Sequence, residues 1–311
     1  LQMRHEPDDI DRWLDVRARL VAARARRPQP SRDDKVVASW NGLTIAALAE
    51  AGLLLEEPRW MQAARDAASL LVDVHWDGER LSRVSRDGVA GVPAGVLEDY
   101  ACLADGLLVL GGVTGQSRWT SVATRMLDVA LASFVDSGDI YDTAADATDA
   151  RLGRRPSDPT DNAYPSGRSA FAHALLRAAA TTGESRYRSV GEAALGTAQA
   201  LATRAPRFVS WALAAAESAL VGPVEVAVIG SPDDASTASL LRTALRDAPP
   251  GSAVCLGAPD PAGESDTPLL RHRDLVDGRP AAYVCRGFVC RVPVTSPDDL
   301  TAELAMVARR T

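Results

Sequence analysis

The chain has 311 residues, 46% hydrophobic and only 5% aromatic, with a formal net charge of −7. That length suffices for one large core with a smaller appendage, and the negative balance gives no broad cationic field for a phosphate backbone despite the basic stretch Arg17 to Arg27, so no nucleic-acid partner is expected. No apolar run approaches the roughly 20 residues that cross a bilayer, and four cysteines without a CxxC spacing make neither a disulfide scaffold nor a zinc ribbon. The charged opening at Arg4, His5, Glu6 and Asp8 is not a secretory signal. A cytoplasmic location follows as the expectation, with no membrane partner, metal or cofactor. The first residue is Leu1, and the opening reads as the middle of a helical protein, so the chain is expected to be a fragment of a longer one.

After a first helix over about Asp8 to Ala25, three stretches repeat one grammar. Trp40-Asn41-Gly42 opens an apolar helix to Leu55, Glu57-Pro58 breaks it, and Arg59-Trp60 starts a second helix to about Val74. Leu97-Glu98-Asp99-Tyr100 opens the next to Leu110, with a break at Thr114-Gly115 and a restart near Arg118-Trp119 to about Phe134. Pro165-Ser166-Gly167 opens the third to Ala180, with a break at Thr182-Gly183 and a restart near Arg186-Tyr187 to about Leu201. A further helix spans Ser210 to Leu220.

Within each unit the second helix is amphipathic: Trp119, Val122, Ala123, Met126, Ala130 and Phe134 share one face. The first helices are apolar nearly all round and rich in Ala and Gly, the pattern of a helix covered on both sides. An inner layer wrapped by an outer layer of antiparallel helices is an (α/α) toroid. Its closed form has about six hairpins, and roughly half the ring is read here. The fold class is therefore mainly α, a partial (α/α)6 toroid over residues 1–221. The polar stretch Asp142 to Asn162 reads either as an irregular loop over a cleft or as a mobile surface loop.

Past Gly222-Pro223 the texture changes to βα grammar, and residues 222–311 read as a small C-terminal α/β domain. Val224 to Ile229 is a strand, Ser231-Pro232-Asp233-Asp234 starts a helix, and Ser252 to Leu256 is a second strand. Ala281 to Val294 is a hairpin turning near Arg286-Gly287, the last helix is capped near Ser296-Pro297, and Gly257 to Pro268 is the loosest part. Cys285 and Cys290 flank the turn. A four-residue loop is expected to set them face to face and a two-residue turn to put them out of register, and two buried strand thiols are the plainer reading. Cys102 and Cys255 read as core residues.

Asp33-Asp34-Lys35 with Trp40-Asn41-Gly42-Leu43, Leu97-Glu98-Asp99-Tyr100-Ala101, Pro165-Ser166-Gly167-Arg168-Ser169, and Val284-Cys285 with Cys290 and Pro293-Val294-Thr295 together resemble the spermatogenesis-associated protein 20 type family. That resemblance covers nearly the whole chain in order. It implies an N-terminal thioredoxin-like domain and a first half-toroid outside this chain, and a fold related to N-acylglucosamine 2-epimerases and six-hairpin glycosidases. The family usually has Asn where Arg168 stands, so a neutral amide has become a cation.

Inner helices that start at one rim bring their first residues to a central funnel. Glu98, Asp99 and Asp34 are the candidate catalytic acids, and Asp33, Lys35, Trp40, Asn41, Tyr100, Ser166 and Arg168 the candidate substrate-binding residues. A carbohydrate ligand suits them, because hydroxyls want carboxylate acceptors and a sugar ring wants a flat aromatic face. The same Asp, Asn and Ser residues are also ordinary helix N-caps. Glu98 and Asp99 point about 100° apart on a helix, so a catalytic pair needs an acid from another hairpin, such as Asp33 or Asp34. A cation at position 168 needs a partner, and Glu98, Asp99 or Asp161 is the expected one. His173 lies inside an inner helix and reads as a core histidine. The chain alone is not expected to catalyse a reaction. Its expected partners are the missing half-toroid and thioredoxin-like domain or a second copy, joined through apolar flanks at Trp13, Leu14 and Leu20 and at Trp211, Leu213 and Leu220. A non-catalytic module that binds a ligand or a partner is the alternative function.

Overall fold

A computed structural model describes residues 5–146 and 154–308. Leu1, Arg4 and the middle of the Asp142 to Asn162 loop lie outside the described residues. Contacts divide the chain into two units, Leu1–Lys35 and Val36–Thr311.

The first unit holds one helix, α1 (Ile10–Ala25), started by Asp9, whose side chain accepts the Arg12 N–H. None of its residues is buried, and Leu14, Leu20 and Val21 stand in solvent. The Arg17 guanidinium lies over the Trp13 ring.

The second unit opens with β1 (Val36–Val37) and then the hairpin of α2 (Ala38–Leu54) and α3 (Pro58–Leu70), which continues as a π-turn over Leu71–His75. Strands β2 (Val84–Arg86) and β3 (Val89–Ala90) form a small antiparallel sheet with β1. The hairpin of α4 (Leu97–Thr114) and α5 (Ser117–Phe134) follows, and β4 (Val135–Asp136) and β5 (Asp139–Ile140) make a tight two-stranded turn. The next hairpin is α6 (Gly167–Thr182) with α7 (Ser185–Leu195). The outer helix read as running to Leu201 breaks at a 3-10 turn, Gly196–Ala198, and resumes only as α8 (Gln199–Ala202). Helix α9 (Ser210–Val221) closes the helical part.

Helices α2, α4, α6 and α9 form the inner layer and α3, α5 and α7 the outer one, so the chain is an arc of an (α/α) toroid built from antiparallel hairpins. Small residues set the inner spacing. A Cβ at Gly42 would run into the backbone of Cys102 and Leu103, and one at Gly106 into the Gly42 carbonyl, so α2 and α4 touch backbone to backbone. Nearly all of α4 is buried, from Leu97 to Val113. Its neighbour α2 is covered on one side only: Trp40, Thr44, Ala47 and Leu54 form an exposed stripe at helical spacing. Trp119, Met126 and Phe134 of α5 and Tyr187 of α7 fill the space between the layers.

The α/β part has strand order β7-β6-β8-β9, with β6 (Val224–Ile229), β7 (Ala253–Gly257), β8 (Ala281–Arg286) and β9 (Val289–Cys290). Strands β6 and β7 are parallel, joined by α10 (Ala235–Asp247), while β6 with β8 and β8 with β9 are antiparallel. All six residues of β6 are buried, as a central strand requires. Gly112 lets the backbone of β7 lie directly on α4, and α11 (Pro297–Ala308) packs its Leu300 and Leu304 under the other face. The stretch Gly257 to Pro268 is organised around Asp260, whose carboxylate accepts the Glu264 and Ser265 N–H groups at 2.8 and 3.0 Å.

The β8–β9 turn corrects the sequence reading of its cysteines. Gly287 and Phe288 both take left-handed φ angles, 57° and 64°, as a two-residue turn that follows strand twist requires. Arg286 then faces Val289, and Cys285 faces Cys290. A two-residue turn therefore brings the cysteines into register rather than out of it, because both pairs count outward symmetrically from the turn. They form a disulfide instead of two thiols.

Candidate functional site

Inner-helix starts lie side by side. Ser39 of α2 donates its N–H to Asp99 Oδ1 of α4 at 3.2 Å, and a Cβ on Gly167 of α6 would stand 3.2 Å from Glu98 N. Asp161 accepts the Ser166 N–H at 2.9 Å and the Trp211 N–H of α9 at 2.8 Å. Four helix N-termini therefore share one rim, and two buried carboxylates link them in pairs. Each works for one reason: an N-terminus carries unpaired N–H groups and partial positive charge, which an anion satisfies.

Asp99 is fully engaged there. Besides Ser39, its Oδ2 accepts the Val96 N–H at 3.0 Å and the Arg83 Nη1 at 2.8 Å. Arg83 also donates to Glu98 Oε1 at 2.7 Å. Burial works against the charge of Arg83, and Asp99 and Glu98 overcome it, so the guanidinium is held charged. Sequence reasoning missed Arg83, which stands in the β-hairpin before α4 with no helix-start pattern to mark it.

Glu98 keeps one carboxylate oxygen without a protein hydrogen bond among the described residues. Burial raises its pKa, Arg83 pulls it back, and Asp99 and Asp142 push it up again. Asp142 is the second acid of this kind: burial raises it, while the Asp158 N–H and Arg168 oppose the rise. Its backbone carbonyl accepts the Leu97 N–H at 2.9 Å, and its Oδ2 accepts the Asp158 N–H at 2.9 Å. The described ends of the Asp142 to Asn162 loop are thus laid over the starts of α4 and α6. Asp142 thus stands beside the start of α4, and its charge adds to the rise at Glu98; the one sequence signal for it was the polar loop to which it belongs.

The remaining candidates separate clearly. Tyr100 is buried against Trp76 and Phe134, and its hydroxyl accepts the Leu81 N–H at 2.9 Å, so it holds the hairpin before α4. Asn41 donates to the Val37 carbonyl at 2.9 Å. Ser166 caps α6 by accepting the Ser169 N–H at 3.2 Å. Trp40 is 54% exposed. Asp33 and Lys35 belong to the first unit, where Lys35 Nζ lies 3.2 Å from Asp33 Oδ2, and Asp34 stands exposed between them.

Arg168 departs from its expected partners. Its Nη2 donates to the Ile140 carbonyl at 2.7 Å and to Ser157 Oγ at 3.0 Å, and its Nη1 to Thr197 Oγ1 at 3.3 Å. Neutral oxygens, one carbonyl and two hydroxyls, bind the cation in place of Glu98, Asp99 or Asp161. Burial lowers its pKa, and Asp142 and Asp139 act against that.

Deeper in the inner layer, Arg177 Nε donates to Asp105 Oδ1 at 2.7 Å, and Arg177 Nη2 lies 3.2 Å from His173 Nε2. Burial lowers the His173 pKa more than Asp105 raises it, and Arg177 adds to the fall, so the ring is neutral. Its ring and that of Trp211 pack edge to face with centroids 5.8 Å apart. A buried ion pair with a neutral histidine beside it joins α4 to α6, which is a packing role.

Hairpins in two layers with their inner helices starting at one polar rim define the class: an arc of an (α/α) helical toroid with a small α/β unit. Among its relatives by sequence are the spermatogenesis-associated protein 20 chains of Homo sapiens and Rattus norvegicus, each 29% identical over 91% of this chain. The chain spans 37% of the length of these curated relatives and matches their C-terminal portion. No family model matches it. A GH76 alpha-mannanase of Bacteroides thetaiotaomicron superposes with a TM-score of 0.46 at 14% identity, over 60% of this chain and 53% of that one, a likeness too slight to carry an argument. Among the described residues no helix is long and apolar enough to cross a membrane.

Proposed function

We propose that this chain is the C-terminal arc of a carbohydrate-active-type toroid that supplies part of a sugar-binding rim and does not catalyse on its own. The observation behind the reading is the division of labour among the rim acids. Asp99 and Asp161 have their oxygens occupied by helix N–H groups, which leaves Glu98, its pKa raised further by the charge of Asp142, as the acid able to meet a ligand. A raised pKa suits Glu98 to proton donation, and the exposed Trp40 indole offers a flat apolar face on the neighbouring helix. A reaction needs a further group on the opposite side of the bound sugar, and that side belongs to hairpins outside this arc.

A second reading, a non-catalytic module completed by a partner, draws on the apolar edges. A groove of about 660 Å³ runs between α9 and the α7–α8 break, lined by Leu195, Ala198, Ala202, Leu213, Ala216 and Leu220. The matching half-toroid, or a second copy, is the occupant this reading names. One experiment addresses both: the chain is mixed with a separately expressed N-terminal portion, and each sample is screened against a sugar library by thermal shift. Sugar-dependent stabilisation of the mixture that Glu98→Gln removes supports the first reading. Stable association without any sugar response supports the second. No association and no sugar response removes both.

A further inference from the structure

We infer that the Cys285–Cys290 pair is a thiol–disulfide exchange site, with Cys290 as the attacking sulfur and Cys285 as the resolving one. The pair is asymmetric in access: Cys285 is 1% exposed within β8, whereas Cys290 lies on the edge strand β9 and is partly open to solvent. It is asymmetric in charge as well. The Arg273 guanidinium sets its Nη2 2.9 Å from Cys290 Sγ, and no carboxylate lies within 4.0 Å of that guanidinium among the described residues. Tyr283 holds the cation there: its ring lies under Arg273 at 5.3 Å, and its hydroxyl donates to the Asp274 carbonyl at 2.8 Å. A cation against one sulfur favours the thiolate of that sulfur, and accessible thiolates exchange fastest.

The hairpin is built to survive opening of the bond. Register places Glu225 of β6, Cys285 and Cys290 in one cross-strand row. The Glu225 carboxylate accepts the Gly287 and Phe288 N–H groups at 3.1 and 3.0 Å, which holds the turn independently of the sulfurs. Phe288 adds an anchor by packing its ring on Gly183 at the end of α6.

The reductant by chemical class is a dithiol. Its thiolate attacks Cys290 Sγ, the S–S bond breaks, and Cys285 leaves as a thiolate that takes a proton from solvent. The second thiol of the reductant loses its proton to solvent and attacks the mixed disulfide, which releases the Cys290 thiolate beside Arg273. The reductant leaves as a cyclic disulfide, so two electrons pass to the protein. Oxidation is the reverse, with Cys290 attacking an external disulfide.

The test uses the full chain and dithiothreitol without denaturant, with timed acid quench, alkylation and peptide mapping. Buried Cys102 and Cys255 serve as internal references, since burial pushes Cys102 up and Cys255 up to about 12. Reduction within minutes is expected with the far-ultraviolet circular dichroism unchanged. In the reduced chain Cys290 should alkylate at least 10-fold faster than Cys285. With oxidised glutathione, Cys285→Ser should accumulate a mixed disulfide at Cys290, and Arg273→Gln should slow the Cys290 reaction at least 3-fold where Arg273→Lys does not. Reduction only after the helices melt would make the bond purely structural. Faster alkylation of Cys285 would overturn the assignment of roles, and that comparison in the wild-type chain stands even if a variant fails to fold.

Discussion

At Asp99 one carboxylate serves two helices and a guanidinium, whereas Glu98 beside it serves the guanidinium alone. Asp99→Asn keeps the shape but loses the charge and one acceptor, which leaves a buried N–H or Arg83 underpaired. A loss of about 2–4 kcal/mol in urea unfolding is expected. Glu98→Gln should cost less than about 1 kcal/mol, because Arg83 keeps Asp99. Equal losses would mean that the two acids share one structural role. Glu225 gives a pH signature. Burial raises its pKa above the ordinary 4.5, and the turn N–H groups only partly offset this. The folded state therefore holds the proton more tightly than the unfolded one, so this group's contribution is present below pH 4.5 and lost as pH rises through the folded pKa. Glu225→Gln should be less stable overall by about 1–3 kcal/mol, since an amide oxygen replaces two acceptors, yet should lose less stability than wild type between pH 4.5 and neutrality. Unfolding curves across that range that remain parallel would refute the assignment.

At the scale of elements, contact between α2 and α4 depends on Gly42 and Gly106, where the backbones leave no room for a methyl group. Helix backbones cannot shift without opening the whole inner layer, so Gly42→Ala is expected to cost at least about 3 kcal/mol. Gly196 is the control. It has an ordinary φ of −56° and nothing within 4 Å of the place a methyl group would take, so Gly196→Ala should be neutral or stabilising by up to about 1 kcal/mol. Thermal unfolding of the pair separates the close-approach explanation from general glycine effects: similar losses at both sites would rule it out. The glycines were visible in the sequence as the Ala- and Gly-rich character of the first helices. Which of them touch a neighbouring backbone was not visible, because that depends on the axial offset of two helices.

For the whole molecule, the edges of the arc expose apolar residues. Leu220 is 87% exposed on α9, and Trp40 with Leu54 marks the uncovered side of α2. The sheet lies on α4 and α6 and leaves the groove of α9 open. Such surfaces favour association through burial of apolar area at about 25 cal/mol per Å². Sedimentation at increasing concentration is expected to show association, with binding of a hydrophobic dye, and Leu220→Glu combined with Trp40→Glu should reduce both. A monodisperse monomer that binds no dye would mean that the edges need no cover.

Helical periodicity, the Ala and Gly content of the inner helices and the breaks at Pro58, Gly115 and Gly183 determined the hairpins and their two layers, since each is a local property of the chain. The motif at Glu98-Asp99 likewise located the rim. Tertiary structure alone decided what each rim residue does. Asp99 and Asp161 were chosen as clamps by N–H groups 60 and 50 residues away in the chain; Arg83 bonds Glu98, and Asp142 acts on it by charge, from stretches without periodicity. The facing of Cys285 and Cys290 also waited on the turn, because one residue more or less in a loop changes which side chains share a face. A carboxylate at a helix start has the same sequence signature whether it caps, clamps or meets a ligand, and only the groups brought to it by the fold distinguish the three.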